Sequence, residues 1–336
     1  MIQEIDPKSY LKPRKGETRF GEILTFCSSK NWKKELAKAK KEIKFCLIGI
    51  PESVGVMGNM GNPGTQNAWN AFLKAFLNIQ SNRYLTGKEF MVLGAVDVAA
   101  VQEKAEQLDE STDYYHQKLH LLCEEIDDLV EPVINRVKAS GMIPIIVGGG
   151  HNNSYPIIKG VASLSKKKKV NVINLDAHAD FRALEGRHSG NGFSYGRQKK
   201  CLNRYFAFGL HQSYNSENML KSMDADEQVK YSFLEGITYL ESMLSDAVSF
   251  VVDDQIECGI EIDMDAIRMM PSSAISPTGF SLEQARLFLK KCTGVLTPAY
   301  LHLPEAAPLN ELDKVLVGKS LAYLVSDFAK EIVHRP

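Results

Sequence analysis

The chain has 336 residues, 44% of them hydrophobic, and its 40 lysines and arginines nearly balance 41 aspartates and glutamates. That balance leaves no bulk charge to draw nucleic acid or an anionic membrane, and no apolar run approaches membrane-spanning length. The length is ample for a sizeable core, and six widely spaced cysteines without a Cys-x-x-Cys pair read as reduced thiols.

Residues 1–44 are polar, with an amphipathic helix predicted from Trp32 to Ile43. The first six residues carry neither the basic nor the apolar part of a secretory leader, so a cytoplasmic protein is expected. Phe45–Ile50 is strand-like, Thr65–Leu77 reads as a helix and Phe90–Val98 as a second strand. A long helix follows from Thr112 to Ser140, closed by Gly141 as its C-cap. Within it, His116 and His120 have the i, i+4 spacing of a metal pair. No acidic or cysteine partner adjoins them, and a helix-surface pair is the better reading.

Gly141–Val147 is an apolar strand running into Gly148-Gly149-Gly150-His151, where the glycines permit a sharp turn. Lys166–Lys169 reads as a solvated turn. Val170–Leu175 is a buried strand leading into Asp176-Ala177-His178-Ala179-Asp180. Strands at Tyr205–Leu210 and Val229–Phe233 come next. Gly259-Ile260-Glu261-Ile262 then leads into Asp263-Met264-Asp265, with Asp253 and Asp254 before it as loop residues. Ser281–Cys292 is a helix, Tyr300–Leu303 a last strand and Leu312–Val333 the closing helix. Alternating strands and helices argue for a mainly parallel sheet with helices on both faces. The expected organisation is a single α/β domain over 45–336, with 1–44 as an extension packed on it.

The chemistry concentrates at strand ends, where ligands gather in an open parallel sheet. While a strand stays extended, side chains at i, i+2 and i+4 share a face, so Asp176, His178 and Asp180 can converge. His151, Asp263 and Asp265 arrive from two other strand ends. Four aspartates brought together would repel and raise one another's pKa, a conflict that a pair of divalent cations resolves. Oxygen-rich ligands with two imidazoles suit manganese.

Gly148–His151, Asp176–Asp180, Asp263–Asp265 and Pro304-Glu305-Ala306-Ala307-Pro308 resemble, in order and spacing, the four signature blocks of the ureohydrolase (arginase, agmatinase and formimidoylglutamase) family. The resemblance runs from about Phe45 to the last helix. It implies a three-layer α-β-α arginase-like fold, a cytoplasmic homo-oligomer (trimer or hexamer) and two Mn2+ per chain. It also implies that His151, Asp176, Asp180 and Asp263 hold one ion and that His178, Asp176, Asp263 and Asp265 hold the other. Asp180 would also pass a proton onward, and Glu305 would face the substrate's cationic group. His188 lies near the position of a proton-relay histidine in arginases, though a structural loop histidine fits the same position.

The resemblance is strongest to formimidoylglutamases. Asp180-Phe181-Arg182 resembles their Asp-x-Arg, and Arg182 could pair with a substrate carboxylate or form a structural salt bridge. In Gly209–Asn215 there is no acidic residue of the kind that arginases use to recognise a free α-ammonium. The candidate substrate-binding residues are therefore Arg182, Asn191 and Asn215. The expected reaction is hydrolysis of N-formimino-L-glutamate to L-glutamate and formamide, in histidine catabolism. The alternatives are another ureohydrolase acting on arginine, agmatine or a guanidino acid, or a metal-binding homologue without turnover. Asn152, Asn62 and the form of the Glu305 block depart from the family pattern and bear on the shape of the pocket.

Overall fold

The computed structural model describes residues 2–237 and 239–335. The first 44 residues do more than lie against the body. β1 (Ile2–Gln3) and β2 (Thr25–Phe26) both hydrogen-bond to β4 (Phe90–Val96), β1 antiparallel and β2 parallel. Between β2 and β3 (Phe45–Gly49), helix α1 covers only Trp32–Ala37, shorter than predicted. Beyond Leu36 the stripe has no large apolar anchor until Ile43, and Lys34 and Lys38 set like charges at i, i+4.

The chain continues through α2 (Val54–Gly58), α3 (Ala68–Phe76), β4, α4 (Ala99–Glu106), α5 (Tyr115–Ala139) and β5 (Ile143–Val147). Next come α6 (Ser154–Ala162), β6 (Val170–Leu175), α7 (Gly192–Gln198), β7 (Leu202–Leu210), α8 (Glu217–Asp224) and β8 (Val229–Phe233). The remainder is α9 (Leu240–Val251), β9 (Cys258–Ile262), α10 (Leu282–Val295), β10 (Pro298–Leu303) and α11 (Glu311–Val333). Among the described residues the strands form one sheet in the order β1-β4-β3-β5-β10-β9-β6-β7-β8, with β2 beside β4. Every pairing except β1 with β4 is parallel.

Successive strand residues face opposite ways, so both sheet faces are apolar and each needs a helical layer. Leu47, Ile145 and Leu301 join a core with Phe72, Leu289 and Leu324 of α3, α10 and α11. Cys46, Ile48 and Ile146 join another with Leu119, Ile126 and Ile158 of α5 and α6. The result is the expected three-layer α-β-α arrangement. All six cysteines are buried and unpaired, spread through these two cores. Among the described residues no helix is long and apolar enough to cross a membrane.

What positions the site is strand order. β5, β10, β9 and β6 are consecutive neighbours in the middle of the sheet, and their carboxyl ends carry His151, Glu305, Asp263 and Asp176. Parallel pairing aligns those ends, as Leu303 with Val147 and Leu175 with Ile262. Residues more than 150 positions apart thereby reach one point.

Candidate metal centre

The expected convergence of Asp176, His178 and Asp180 occurs by a different route from an extended strand. β6 stops at Leu175, and the next five residues form a bent loop. Asp180 takes a left-handed conformation (φ 46°), which short polar residues tolerate better than most. Asn215 clamps the loop: its Oδ1 accepts from Ala179 N at 2.9 Å, and its Nδ2 donates to Ala177 O and His211 O at 3.0 and 2.8 Å. The bend sends Asp176 and Asp180 one way and His178 another.

On one side, His151 Nδ1 lies 2.8 Å from Asp180 Oδ2, 2.9 Å from Asp263 Oδ2 and 3.2 Å from Asp176 Oδ2. On the other, His178 Nδ1 is 3.1 Å from Asp265 Oδ2 and 3.8 Å from Asp176 Oδ1. Two candidate metal groups result, His151 with Asp176, Asp180 and Asp263, and His178 with Asp176 and Asp265; the ligand atoms of each lie within 4.8 Å of one another. Asp176 is common to both. Asp263, expected to be shared as well, falls in the first group, and its Oδ1 accepts from Asp265 N at 2.8 Å as the cap of a short 3-10 turn.

The electrostatics are those of a site that wants cations. Burial and the charge of Asp180 push Asp176 up to about 7. Burial and the charges of Asp265 and Asp176 raise Asp263 well above the usual carboxylate range. Burial would lower both imidazoles, yet the surrounding carboxylates hold His151 and His178 well above an ordinary histidine. Burial also opposes ionisation of Asp265, but His178 beside it keeps that carboxyl low. Asp265 Oδ1 is buried with no hydrogen-bond partner among the described residues, a cost that a coordinated ion would remove. Buried carboxylates in contact, two imidazoles and an unpartnered oxygen fit two hard divalent cations.

Glu305 follows β10 in a left-handed conformation (φ 66°). It accepts from His151 N at 2.6 Å and from the Ser273 hydroxyl, while burial lifts it to about 8. The close approach explains the glycines. A Cβ on Gly150 would lie 2.5 Å from Asn152 Oδ1 and 3.3 Å from Glu305 Oε1. Glu52, buried behind this turn, accepts from Gly150 N and Asn153 Nδ2 and so braces it.

A cavity of about 400 Å³ opens over the centre. Asp180, Asp263, Asp265 and Glu305 line its floor, and Asn59, Asn62, Arg182, Ser189 and Tyr214 line its walls. Arg182 donates Nε to Glu185 at 3.0 Å, and among the described residues its terminal nitrogens meet no hydrogen-bond partner. Among the described residues no other arginine or lysine lines the cavity.

Three candidates fall elsewhere. His188 is buried outside the cavity lining: Gly190 N donates to its Nδ1 and its Nε2 lies 3.2 Å from Glu185. Burial and the charge of neighbouring His120 lower it to about 4, so it stays neutral in a structural loop. Asn191 is fully buried, its Oδ1 accepting from Arg187 and its Nδ2 donating to Gly186 O, which leaves no amide atom for a substrate. Arg187 is itself buried against Asp127 at 2.7 Å. Asn215 supports the metal loop as described. His120 does not pair with His116 on the helix surface; its Nε2 lies 3.1 Å from Gly58 O.

Sequence reasoning passed over Ser273, Glu52, Glu261 and His302. The last two left a signal, since a charged or titratable residue inside the strands Cys258–Ile262 and Pro298–Leu303 is out of place unless it serves a neighbour.

The family model described as "Arginase family" matches residues 43–328. A formimidoylglutamase from Macrococcus caseolyticus is 29% identical over 288 residues, 83% of each protein. One from Salmonella arizonae is 25% identical, over 76% of this chain and 72% of that protein. Among solved structures, a Trypanosoma cruzi formiminoglutamase with Mn2+ superposes with a TM-score of 0.73 at 20% identity, covering 95% of this chain and all of that one. The formimidoylglutamase of Bacillus subtilis gives 0.74 at 18% identity, covering 97% and 95%.

Proposed function

Because this chain belongs to the arginase family, we propose that it is a binuclear manganese hydrolase that converts N-formimino-L-glutamate and water to L-glutamate and formamide. The observation that carries this reading is one cavity lined by members of both groups of metal ligands, with Glu305 on its floor and an arginine on its wall. The similarity to proteins named formimidoylglutamase supports the substrate.

His151, Asp176, Asp180 and Asp263 would hold one ion, and His178, Asp176 and Asp265 the other. Two divalent ions in such a site act as Lewis acids and make water acidic enough to be a nucleophile at neutral pH. Glu305 faces the substrate's formimino group, a cation matched by a buried carboxylate. Asp180 lines the cavity and is placed to take a proton from the attacking water and pass it toward the leaving nitrogen. Arg182 offers its free terminal nitrogens to a substrate carboxylate as a planar fork.

A second reading has its own observation. Formiminoglutamate carries two carboxylates, whereas Arg182 is the one arginine or lysine in the lining among the described residues. A guanidino acid with a single carboxylate would match that count.

Arg182→Lys tests the substrate end. An ammonium cannot reproduce the two-point fork, and losing a charge-assisted hydrogen bond costs about 1.5–3 kcal/mol, or roughly one to two decades in kcat/KM. The loss should fall on KM, with both ions retained, and wild-type protein should barely turn over agmatine, which has no carboxylate. Unchanged kinetics on formiminoglutamate would remove Arg182 from substrate recognition.

A further inference from the structure

Glu261 sits in β9 and His302 is its register partner on β10. Both are fully buried, as are Tyr300 and His151 beside them. Tyr300 Oη donates to Glu261 Oε1 at 2.6 Å. Glu261 Oε2 faces His302 Nδ1 at 2.7 Å, His151 Nε2 at 3.0 Å and Ser154 Oγ at 3.2 Å. A carboxylate only accepts, so each ring nitrogen facing it carries its hydrogen.

For His151 this fixes the tautomer. Nε2 holds its hydrogen toward Glu261, so Nδ1, the nitrogen among Asp176, Asp180 and Asp263, is the one whose lone pair a cation held by those carboxylates would take. The same logic makes His302 neutral with its hydrogen on Nδ1. Its Nε2 is buried with no partner among the described residues; a lone pair there costs less than an unpaired N–H of a charged ring. His178 has no such support, since its Nδ1 contacts Asp265 and Asp176 and the ring is part-exposed. The two imidazoles of the centre are therefore backed unequally.

We propose that Glu261, held by His302 and Tyr300, is a positioning residue that sets the His151 tautomer and strengthens that ring's hold on its cation, leaving the His178 ion untouched. The proposal rests on the two-ion reading above. A carboxylate behind a ligating histidine orients the ring and raises its basicity, and losing such a partner typically costs 10- to 100-fold in metal affinity. The same three side chains, His151, Glu261 and His302, form a compact group that could be mistaken for a third metal site. With hydrogens on every ring nitrogen facing Glu261, it offers an ion no free imidazole lone pair at that carboxylate.

The test is titration of the metal-free protein with Mn2+ against a calibrated fluorescent chelator, which reads each binding constant without reference to activity. Wild type should bind two ions. Binding of one would fail the two-ion reading, and binding of three would overturn the proposal. Glu261→Gln keeps an acceptor for His151 and turns its amide to Tyr300, whose oxygen can accept. It should weaken one constant about 10- to 100-fold and leave the other within about threefold. In a His178→Ala background the remaining constant should still fall by that factor, and in a His151→Ala background Glu261→Gln should change nothing. Equal weakening of both constants, or of neither, would overturn the proposal. If Glu261→Gln does not fold, Tyr300→Phe carries the test: it should weaken the same constant by at least about threefold, and no change would count against it.

Discussion

Exchange of Asp176 for alanine is expected to release both ions and to lower kcat/KM by at least about 10³-fold. Asp176 is the one residue common to the two ligand groups, and it is fully buried. Its Oδ2 lies by His151 and its Oδ1 on the His178 side, where it also accepts from His178 N at 2.7 Å. Removing one group that stabilises charge in a transition state already costs 10²–10³, and here the whole cationic centre would go. Asp265→Ala should by contrast cost the His178 ion first. Elemental analysis alongside kinetics measures both effects, and an Asp176→Ala protein that retains two ions would refute the shared-ligand assignment.

The second large effect is on stability. After chelation the protein should lose stability as pH rises from about 5 to 8, and re-addition of Mn2+ should abolish that loss. Folding lifts Asp176 from its ordinary 3.8 to about 7 and Glu305 from 4.5 to about 8. A carboxyl raised by folding contributes stability that is fully present below its unfolded pKa and lost as pH climbs through its folded one. His151 and His178, raised above 6.5 by their carboxylate neighbours, act with the same sign at higher pH. Asp265 and Glu261 are lowered, so they stabilise above their ordinary pKa values and lose that only in acid. Between pH 5 and 8 the raised groups decide the slope. Each pKa displacement of one is worth about 1.4 kcal/mol, so the total is on the order of several kcal/mol. That corresponds to a Tm about 10 °C lower at pH 8 than at pH 5. A chelated protein with a flat Tm over that range would show that the carboxylate cluster is not strained without its ions.

The frame of this fold could be read from the sequence where one physical signal dominated. β6 and β8 fall where the segments Val170–Leu175 and Val229–Phe233 predict them, the first buried throughout and the second an edge strand buried only at Val229. A run like Val170–Leu175, buried on both faces, has few alternatives in a chain this size. α9 carried its own stripe of Leu244, Ala247, Val248 and Val251 and was passed over, because no strong cap marks its start. The metal ligands were legible because their side-chain types and strand-end positions already imply a shared point.

The substrate wall was not legible for an equally physical reason. An asparagine in a loop can bind a ligand or brace its own backbone, and only the direction of its amide decides. Asn191 and Asn215 both turn inward, onto Arg187 and Ala179. Arg182 turns toward the cavity, and Asn62 joins it there by bonding Ser273 O, a contact 211 residues away in sequence.

Product analysis of the manganese-loaded wild-type protein with N-formimino-L-glutamate tests the central claim most directly. The account predicts equimolar glutamate and formamide, no urea, and a kcat/KM above that for agmatine, arginine or a guanidino acid. Absence of formamide from a protein shown to carry two ions, or faster release of urea from a guanidino acid, would contradict it.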